Sequence, residues 1–264
     1  MNLLPLNTPP EPAVLASPVV ELRQYKLKPG KRDTLVDIFD GRLIEGQEDA
    51  GMTIIGQFRD LDRPDMFVWM RGFDGMDARK NALAAFYGGP VWAAHSNAAN
   101  ATMIDSDDVL LLKPAWPGTG FDLSGTPRAG LTADQKSSRN RLLAGIVVIQ
   151  IHHLRPAAET IFANRFETEM AQLMTAPGAR LLAAFVTEHA ENSFTRLPVR
   201  AGENVFISVI GFDSAETHAR HEATLVGSPA WQVFWRAARK DLTRLTETLR
   251  LSPTSRSRLG QQLA

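Results

Sequence analysis

Polar and aromatic side chains stand at alternate positions inside otherwise apolar segments, and their chemistry suits the binding of a small molecule. Arg23 and Tyr25 are two residues apart in one such segment, and Trp69 and Arg71 in another. A guanidinium binds an anion through paired hydrogen bonds, a phenol can carry a proton, and an indole offers a flat wall. Since alternate residues of a strand point to one face, both pairs are predicted to line an aromatic pocket with a few polar groups.

Gln150 and His152 repeat this spacing later in the chain. We therefore predict six ligand-binding residues in one pocket: Arg23, Tyr25, Trp69, Arg71, Gln150 and His152. An alternative is that Glu21 pairs with Arg23 or Arg71, so that the polar groups satisfy one another inside a packed core. The two interpretations forecast different outcomes for Arg71→Ala, either weaker binding of an anion or a destabilised fold.

Three residues are candidates for proton transfer: Tyr25, His95 and His152. His95 lies three residues after Trp92 in a predicted helix, where it could also be an axial ligand of haem. A single histidine on a helix more often has a structural role. His218 and His221 are also three residues apart but lack a third ligand, so we expect no metal there and a surface position.

Composition and missing motifs exclude several classes of function. The 29 basic and 29 acidic side chains give a net charge of zero, so no nucleic-acid partner is expected. The chain has no cysteine, no phosphate-binding or dinucleotide-binding glycine loop and no nucleophile elbow. We expect no metal, flavin or nicotinamide cofactor, while haem is not excluded. No apolar run is long enough to span a membrane, and the proline-rich residues 1–17 are interpreted as a flexible leader, so a cytoplasmic location is the default.

The chain contains an internal repeat. Val20 corresponds to Val147 at an offset of 127 residues, and later Phe67 corresponds to Phe206 at an offset of 139. Two constant offsets indicate one duplicated unit whose second copy has a longer loop, within residues 188–204. The predicted organisation is a leader at 1–17, a first module at 18–114, a linker at 115–144, a second module at 145–253 and a solvated tail at 254–264.

Within each copy the pattern predicts the order strand, helix, strand, strand, helix, strand, which is the ferredoxin-like α+β unit. We expect the two antiparallel sheets to pack face to face as an α/β-barrel within one chain. In the first strand, Val20 and Leu22 are predicted to face the helices, whereas Glu21, Arg23 and Tyr25 face the central cavity.

The first copy closely resembles the NIPSNAP family. The matching stretches are ELRQYKLKPG at 21–30, GQFRDLD at 56–62, FVWMRGF at 67–73 and AFYGGPVW at 85–92. The resemblance implies the dimeric α/β-barrel fold, which is shared with cofactor-free monooxygenases, haem-handling enzymes and isomerase-like proteins. The second copy departs from these motifs, since Ser208 and Ile210 replace Trp69 and Arg71. The family has no single established reaction, so the fold limits the chemistry without choosing it.

Two hypotheses of function follow. In the first, the barrel cavity binds or transforms a small aromatic or anionic molecule, in the manner of a cofactor-free monooxygenase. In the second, the barrel is packed and the protein is a non-catalytic scaffold that binds partners through its outer helices. A homo-oligomer is compatible with both.

Overall fold

The computed structural model describes residues 15–128, 130, 145–175, 178–261 and 263. Most of the predicted leader, and residues 131–144 of the predicted linker, lie outside this range. In the residues described, no helix is both long and apolar enough to cross a membrane.

The first half begins with a short strand, β1 (Leu15–Ala16). It continues with these strands and helices: β2 (Val19–Leu27), α1 (Arg32–Ile38), a π-helical turn (Phe39–Leu43), α2 (Ile44–Asp49), β3 (Thr53–Asp60), β4 (Met66–Phe73), α3 (Met76–Tyr87), α4 (Pro90–Asn100) and β5 (Met103–Pro114). The chain turns between α3 and α4 at Gly88 and Gly89, where a Cβ atom would lie 2.9 and 2.8 Å from backbone carbonyl oxygens. Pro90 is the first residue of α4. Proline is suited to this position because the N–H that it lacks would have no hydrogen-bond acceptor within the helix.

A short strand, β6 (Phe121–Asp122), pairs with β1 and precedes the second half. The second half contains β7 (Ile146–His153), α5 (Glu159–Arg165), a second π-helical turn (Phe166–Met170), α6 (Ala171–Met174), β8 (Ala179–Thr187), β9 (Val205–Phe212), α7 (Ala215–Gly227), α8 (Pro229–Ala238), a 3₁₀ turn (Arg239–Asp241) and β10 (Glu247–Pro253). A last helix, α9 (Arg258–Gln261), follows.

Eight strands form one closed antiparallel barrel in the order β10-β3-β4-β2-β5-β8-β9-β7, with β7 pairing to β10. The two halves are joined edge to edge, where β5 pairs with β8 and β10 pairs with β3. The mixed α/β fold with a large antiparallel sheet is therefore confirmed. Instead of two separate sheets in face contact, the halves share one continuous hydrogen-bonded wall.

The barrel interior is apolar, which corrects the predicted orientation of the strands. One buried cluster takes alternate residues from all eight barrel strands, including Val20, Leu22, Val147 and Ile149. Glu21, Arg23 and Tyr25 point outward instead, toward the helices. The physical reason is that a closed barrel offers its interior side chains no polar partners, whereas the helices and loops outside do. The expected ligand cavity inside the barrel is thus filled by aliphatic and phenylalanine side chains.

The segments after each half are packed against the barrel. Phe121 is buried in the interior cluster, and Trp116 stacks on Phe206 with ring centroids 6.4 Å apart. The predicted solvated tail is wrong in its described part, because Arg256 and Leu259 are buried. Arg256 donates hydrogen bonds to the carbonyl of Asp40 and to the Glu45 carboxylate, which anchors the tail on the first half.

Candidate functional site

The six predicted ligand-binding residues form two clusters, one under the helices of each half. Arg23, Tyr25, Trp69 and Arg71 lie between the first-half strands and α1–α4, and we call this group with Glu21 and Arg79 the arginine cluster. Gln150 and His152 lie in a separate cleft under α8. The prediction of one shared pocket is therefore not met, because the closed barrel wall stands between the two groups.

Strand register builds the arginine cluster. Glu21 lies opposite Arg71, and Arg23 lies opposite Trp69, on the antiparallel pair β2–β4. One oxygen of Glu21, Oε2, accepts hydrogen bonds from Arg23 Nη1 and Arg71 Nε, both at 2.7 Å. Oε1 accepts one from Arg79 Nε, also at 2.7 Å, which brings in α3. All four side chains are at most 1% exposed, so three buried cations surround one buried anion.

Neutral groups complete part of the hydrogen bonding. Arg71 Nη1 donates to Gln47 Oε1 at 3.1 Å, and Arg23 Nε donates to the Tyr25 hydroxyl at 3.0 Å. Burial alone would raise the pKa of Glu21, but Arg71, Arg23 and Arg79 outweigh it and hold that pKa well below its usual range. Burial also raises the pKa of Tyr25, so its phenol stays neutral at physiological pH.

Aromatic rings cover the arginine cluster. The Trp69 ring lies 5.0 Å from the Arg71 guanidinium carbon and 5.5 Å from that of Arg23. Tyr25 meets Trp69 edge to face at 5.8 Å. A narrow cavity of about 20 Å³ remains beside them, lined by Tyr25, Leu35, Phe39, Leu43, Gln47, Trp69, Phe86, Tyr87, Trp92 and Met103. Its volume admits one group of about the size of a water molecule.

The longer loop of the second half reaches the arginine cluster. Asn192 Oδ1 accepts a hydrogen bond from Arg79 Nη1 at 2.9 Å. Phe194 stacks on Tyr87 with ring centroids 6.2 Å apart, and Ser193 Oγ donates to the Met76 carbonyl at 3.2 Å. A segment that the sequence marks only as an insertion in the second copy therefore closes the pocket of the first.

The corresponding positions of the second half are neutral. On the pair β7–β9, Gln150 lies opposite Ser208 and Val148 lies opposite Ile210. A cleft of about 800 Å³ opens here, lined by Gln150, His152, Trp231, Trp235, Arg239, Leu242, Thr243, Arg244, Leu245, Thr246 and Thr248. This volume lies within the usual range for sites of small organic ligands, about 300–1,000 Å³.

His152 forms the aromatic base of the cleft. It is fully buried, and its Nδ1 is 2.9 Å from Thr246 Oγ1. Its ring lies 5.0 Å from Trp235 and 6.0 Å from Phe206. Burial, with a smaller effect of His153, lowers the pKa of His152 to about 3, so the imidazole is neutral.

Three buried polar atoms of side chains that line the cleft lack a hydrogen-bond partner within the described part of the chain: Gln150 Oε1, His152 Nε2 and Trp235 Nε1. Buried polar groups are nearly always paired, so these atoms have hydrogen-bonding capacity that the described residues do not use.

The other histidines do not form a site. His95 is half-buried on α4 but is not among the side chains lining the narrow cavity. The predicted surface position of His218 and His221 is wrong, because both are buried against Phe212, at 4.9 and 5.3 Å. No group of three or more potential metal ligands occurs among the described residues.

Several residues of the two clusters were missed from sequence. Arg79 donates a hydrogen bond to Glu21, and Asn192 accepts one from Arg79, but no sequence spacing connects these three residues. The sequence could have predicted that Trp231 and Trp235 lie together, because two indoles four residues apart share one face of a helix. Ring centroids of this pair are 5.4 Å apart.

Comparisons with known proteins agree with this architecture. The family model of NIPSNAP matches residues 20–116. Among solved structures, an anthrone oxidase-like protein is 14% identical with a TM-score of 0.57, and covers 89% of this chain and 91% of its own. A candidate monooxygenase from Lactobacillus acidophilus NCFM is 14% identical with a TM-score of 0.54, covering 90% and 94%.

An uncharacterised NIPSNAP-like domain protein from Burkholderia xenovorans is 27% identical over 43% of this chain and 88% of its own, with a TM-score of 0.35. No curated protein matches the chain. The resemblance of the first half to NIPSNAP is therefore confirmed, and the two long alignments extend the fold over both halves.

Proposed function

We propose that the protein binds a planar aromatic molecule bearing a hydroxyl or keto oxygen. Its first half is a NIPSNAP domain, and the barrel continues through the second half. The binding site is the cleft under α8. The observation that carries this proposal is that three side chains lining the cleft have buried polar atoms without a partner among the described residues, beside the Trp231–Trp235 pair. We also infer that the two halves are copies of one unit, because their helices and strands follow the same order.

The composition of the cleft defines the ligand class. Indole walls favour a flat ring system, since such rings stack or meet edge to face. Gln150 Oε1 accepts hydrogen bonds and Trp235 Nε1 donates them. A phenolic hydroxyl donates and accepts, so it can satisfy both kinds of group at the base of the cleft.

Binding is tested by calorimetric titration with 2-naphthol as the probe. Thr248 lines the cleft and is the β10 register partner of Gln150, so Thr248→Trp places an indole inside the cleft and we expect it to weaken binding at least tenfold. The matched control is Ile104→Trp, which adds the same side chain on the first half at a position that is 57% exposed. Undiminished affinity in Thr248→Trp, or no binding by the native protein, would overturn the proposal.

The reaction we propose for this cleft is cofactor-free oxidation of an aromatic substrate by molecular oxygen. The fold shared with the anthrone oxidase-like protein and the neutral His152 support it. In an anthrone, one O₂ replaces the two hydrogens of the CH₂ group with a keto oxygen and yields anthraquinone and one water. We assign acceptance of the first proton to His152 Nε2, when Nδ1 carries the ring proton. This atom is buried in the free protein, so the substrate must displace a neighbouring side chain to reach it. Since burial makes this imidazole a weak base, the substrate must ionise readily.

Oxygen consumption with anthrone as the probe tests the reaction separately. We expect native protein to exceed the spontaneous rate, with one O₂ consumed per anthrone, and His152→Gln to fall to that rate. If 2-naphthol binds while anthrone oxidation is not accelerated, the binding proposal holds and the oxidative one is wrong. Failure of both would favour the scaffold hypothesis, which the packed barrel interior also supports.

A further inference from the structure

The arginine cluster carries more positive charge than its protein partners neutralise. Glu21 is the one carboxylate that pairs with Arg23, Arg71 or Arg79 in the part of the chain described here, which leaves an excess of two positive charges. The further partners are neutral: Gln47, Asn192, the phenol of Tyr25, the Ser106 carbonyl and the Met52 sulfur. Burying unpaired charge is unfavourable by several kcal/mol per ion, so such a cluster gains stability from an additional anion.

Three hydrogen-bond donors of this cluster also lack partners among the described residues. They are Arg71 Nη2, Arg79 Nη2 and Trp69 Nε1, and all three atoms are buried. Two of these guanidinium groups bind the same Glu21 carboxylate, and Trp69 lies 5.0 Å from Arg71. Unused donors and unused charge therefore occur together.

The space beside Trp69 limits the size of an occupant. The narrow cavity of about 20 Å³ is lined in part by Gln47, Trp69 and Tyr87, which all contact Arg71, whereas Arg71 and Arg79 are not themselves lining residues. A group of water or halide size fits, whereas an aromatic ring does not. The loop of the second half covers this region through Asn192 and Phe194, so an ion held here is shielded from water.

We propose that the narrow cavity of the first half is a buried binding site for one small monovalent anion of halide size, held by the free Nε1–H group of Trp69 and by the excess positive charge of the arginine cluster. This site is distinct from the aromatic cleft of the second half. The bound anion would balance the excess positive charge of the pocket. Apart from the covering loop, all residues that build the site lie in the half that matches NIPSNAP.

Anomalous diffraction from crystals soaked in sodium bromide tests the location directly. We expect a bromide peak in the narrow cavity, within hydrogen-bonding distance of Trp69 Nε1. A water molecule refined at that position, with bromide bound at surface sites alone, would overturn the proposal.

Thermal unfolding at constant ionic strength tests the anion in solution. An anion that binds the native state alone raises the unfolding midpoint, so chloride or bromide should raise it above its value in gluconate, which is too large for the cavity. Trp69→Phe removes one donor but keeps an aromatic ring, and we expect it to reduce this halide-specific increase by at least half. Arg71→Met should abolish the increase, provided that it folds.

Two matched controls complete the experiment. Arg165→Met removes a partly exposed arginine paired with Glu169 and should leave the halide effect unchanged. Thr248→Trp alters the aromatic cleft and should also leave it unchanged, so failure of one site is distinguishable from failure of the other. An equal increase in native protein and Trp69→Phe, or none in native protein, would contradict the site.

Discussion

The two helix-covered pockets occupy equivalent places in the strand register but have opposite chemistry. Beneath the first-half helices, Glu21 faces Arg71 and Arg23 faces Trp69. Beneath the second-half helices, Val148 faces Ile210 and Gln150 faces Ser208. The first pocket is charged and nearly filled, at about 20 Å³, whereas the second is neutral and open, at about 800 Å³. The difference in charge between the two pockets follows from these few outward-facing strand residues.

The largest effect that the comparison predicts is on the stability of the first half. Glu21→Gln should lower the free energy of unfolding by about 3–5 kcal/mol, because it leaves three buried arginines without their carboxylate. Denaturation in urea measures this change. The triple variant Glu21→Val/Arg23→Gln/Arg71→Ile copies the neutral residues of the second half and should be more stable than Glu21→Gln. A loss below about 1 kcal/mol in Glu21→Gln would show that the charges are not coupled.

The pH dependence of stability distinguishes the second half. The pKa of His152 is about 3 in the folded protein, below the ordinary value of 6.5, so the unfolded chain binds the proton more tightly. Stability linked to His152 is therefore complete above pH 6.5 and is lost as the pH falls toward 3. The slope approaches about 1.4 kcal/mol per pH unit, which gives about 2 kcal/mol between pH 7 and 5.

His152→Phe keeps an aromatic ring in contact with Trp235 but cannot be protonated. Urea denaturation at several pH values should show a shallower loss of stability in this variant than in the native protein. The lowered pKa values of His218 and His221 act in both proteins and cancel in the difference. Identical slopes between pH 7 and 5 would mean that His152 is accessible to solvent, contrary to its burial.

The smallest predicted effect concerns the second-half loop that contains Asn192 and covers the arginine cluster. Asn192→Ala removes the acceptor for Arg79 Nη1 and should reduce the free energy of unfolding by about 1.5 kcal/mol, the lower end for a hydrogen bond to a charged group. Asn164→Ala, on the exposed face of α5, is a control of the same chemistry. Equal effects of the two substitutions would show that the loop lies over the first half without supporting its charges.

The sequence by itself determined the order of elements and the resemblance of the first half to NIPSNAP. Both depend on local periodicity and on motifs such as residues 85–92, which are properties of neighbouring residues. It also identified Arg23, Tyr25, Trp69 and Arg71 as one group, because alternation along two strands fixes which side chains share a face. The sequence did not predict that Gln150 and His152 lie apart from that group, because their position depends on how the two halves join.

The tertiary structure decided which face is inside. Alternation of side chains is symmetric between the two faces of a strand, so it leaves open whether Val20 or Glu21 enters the barrel. Closure of eight strands removes water and polar partners from the interior, and this selects the aliphatic face for the inside. The pairing of Glu21 with Arg79, and of Arg79 with Asn192, joins residues 58 and 113 positions apart. Only the folded chain brings such distant side chains together, and those contacts define the pocket.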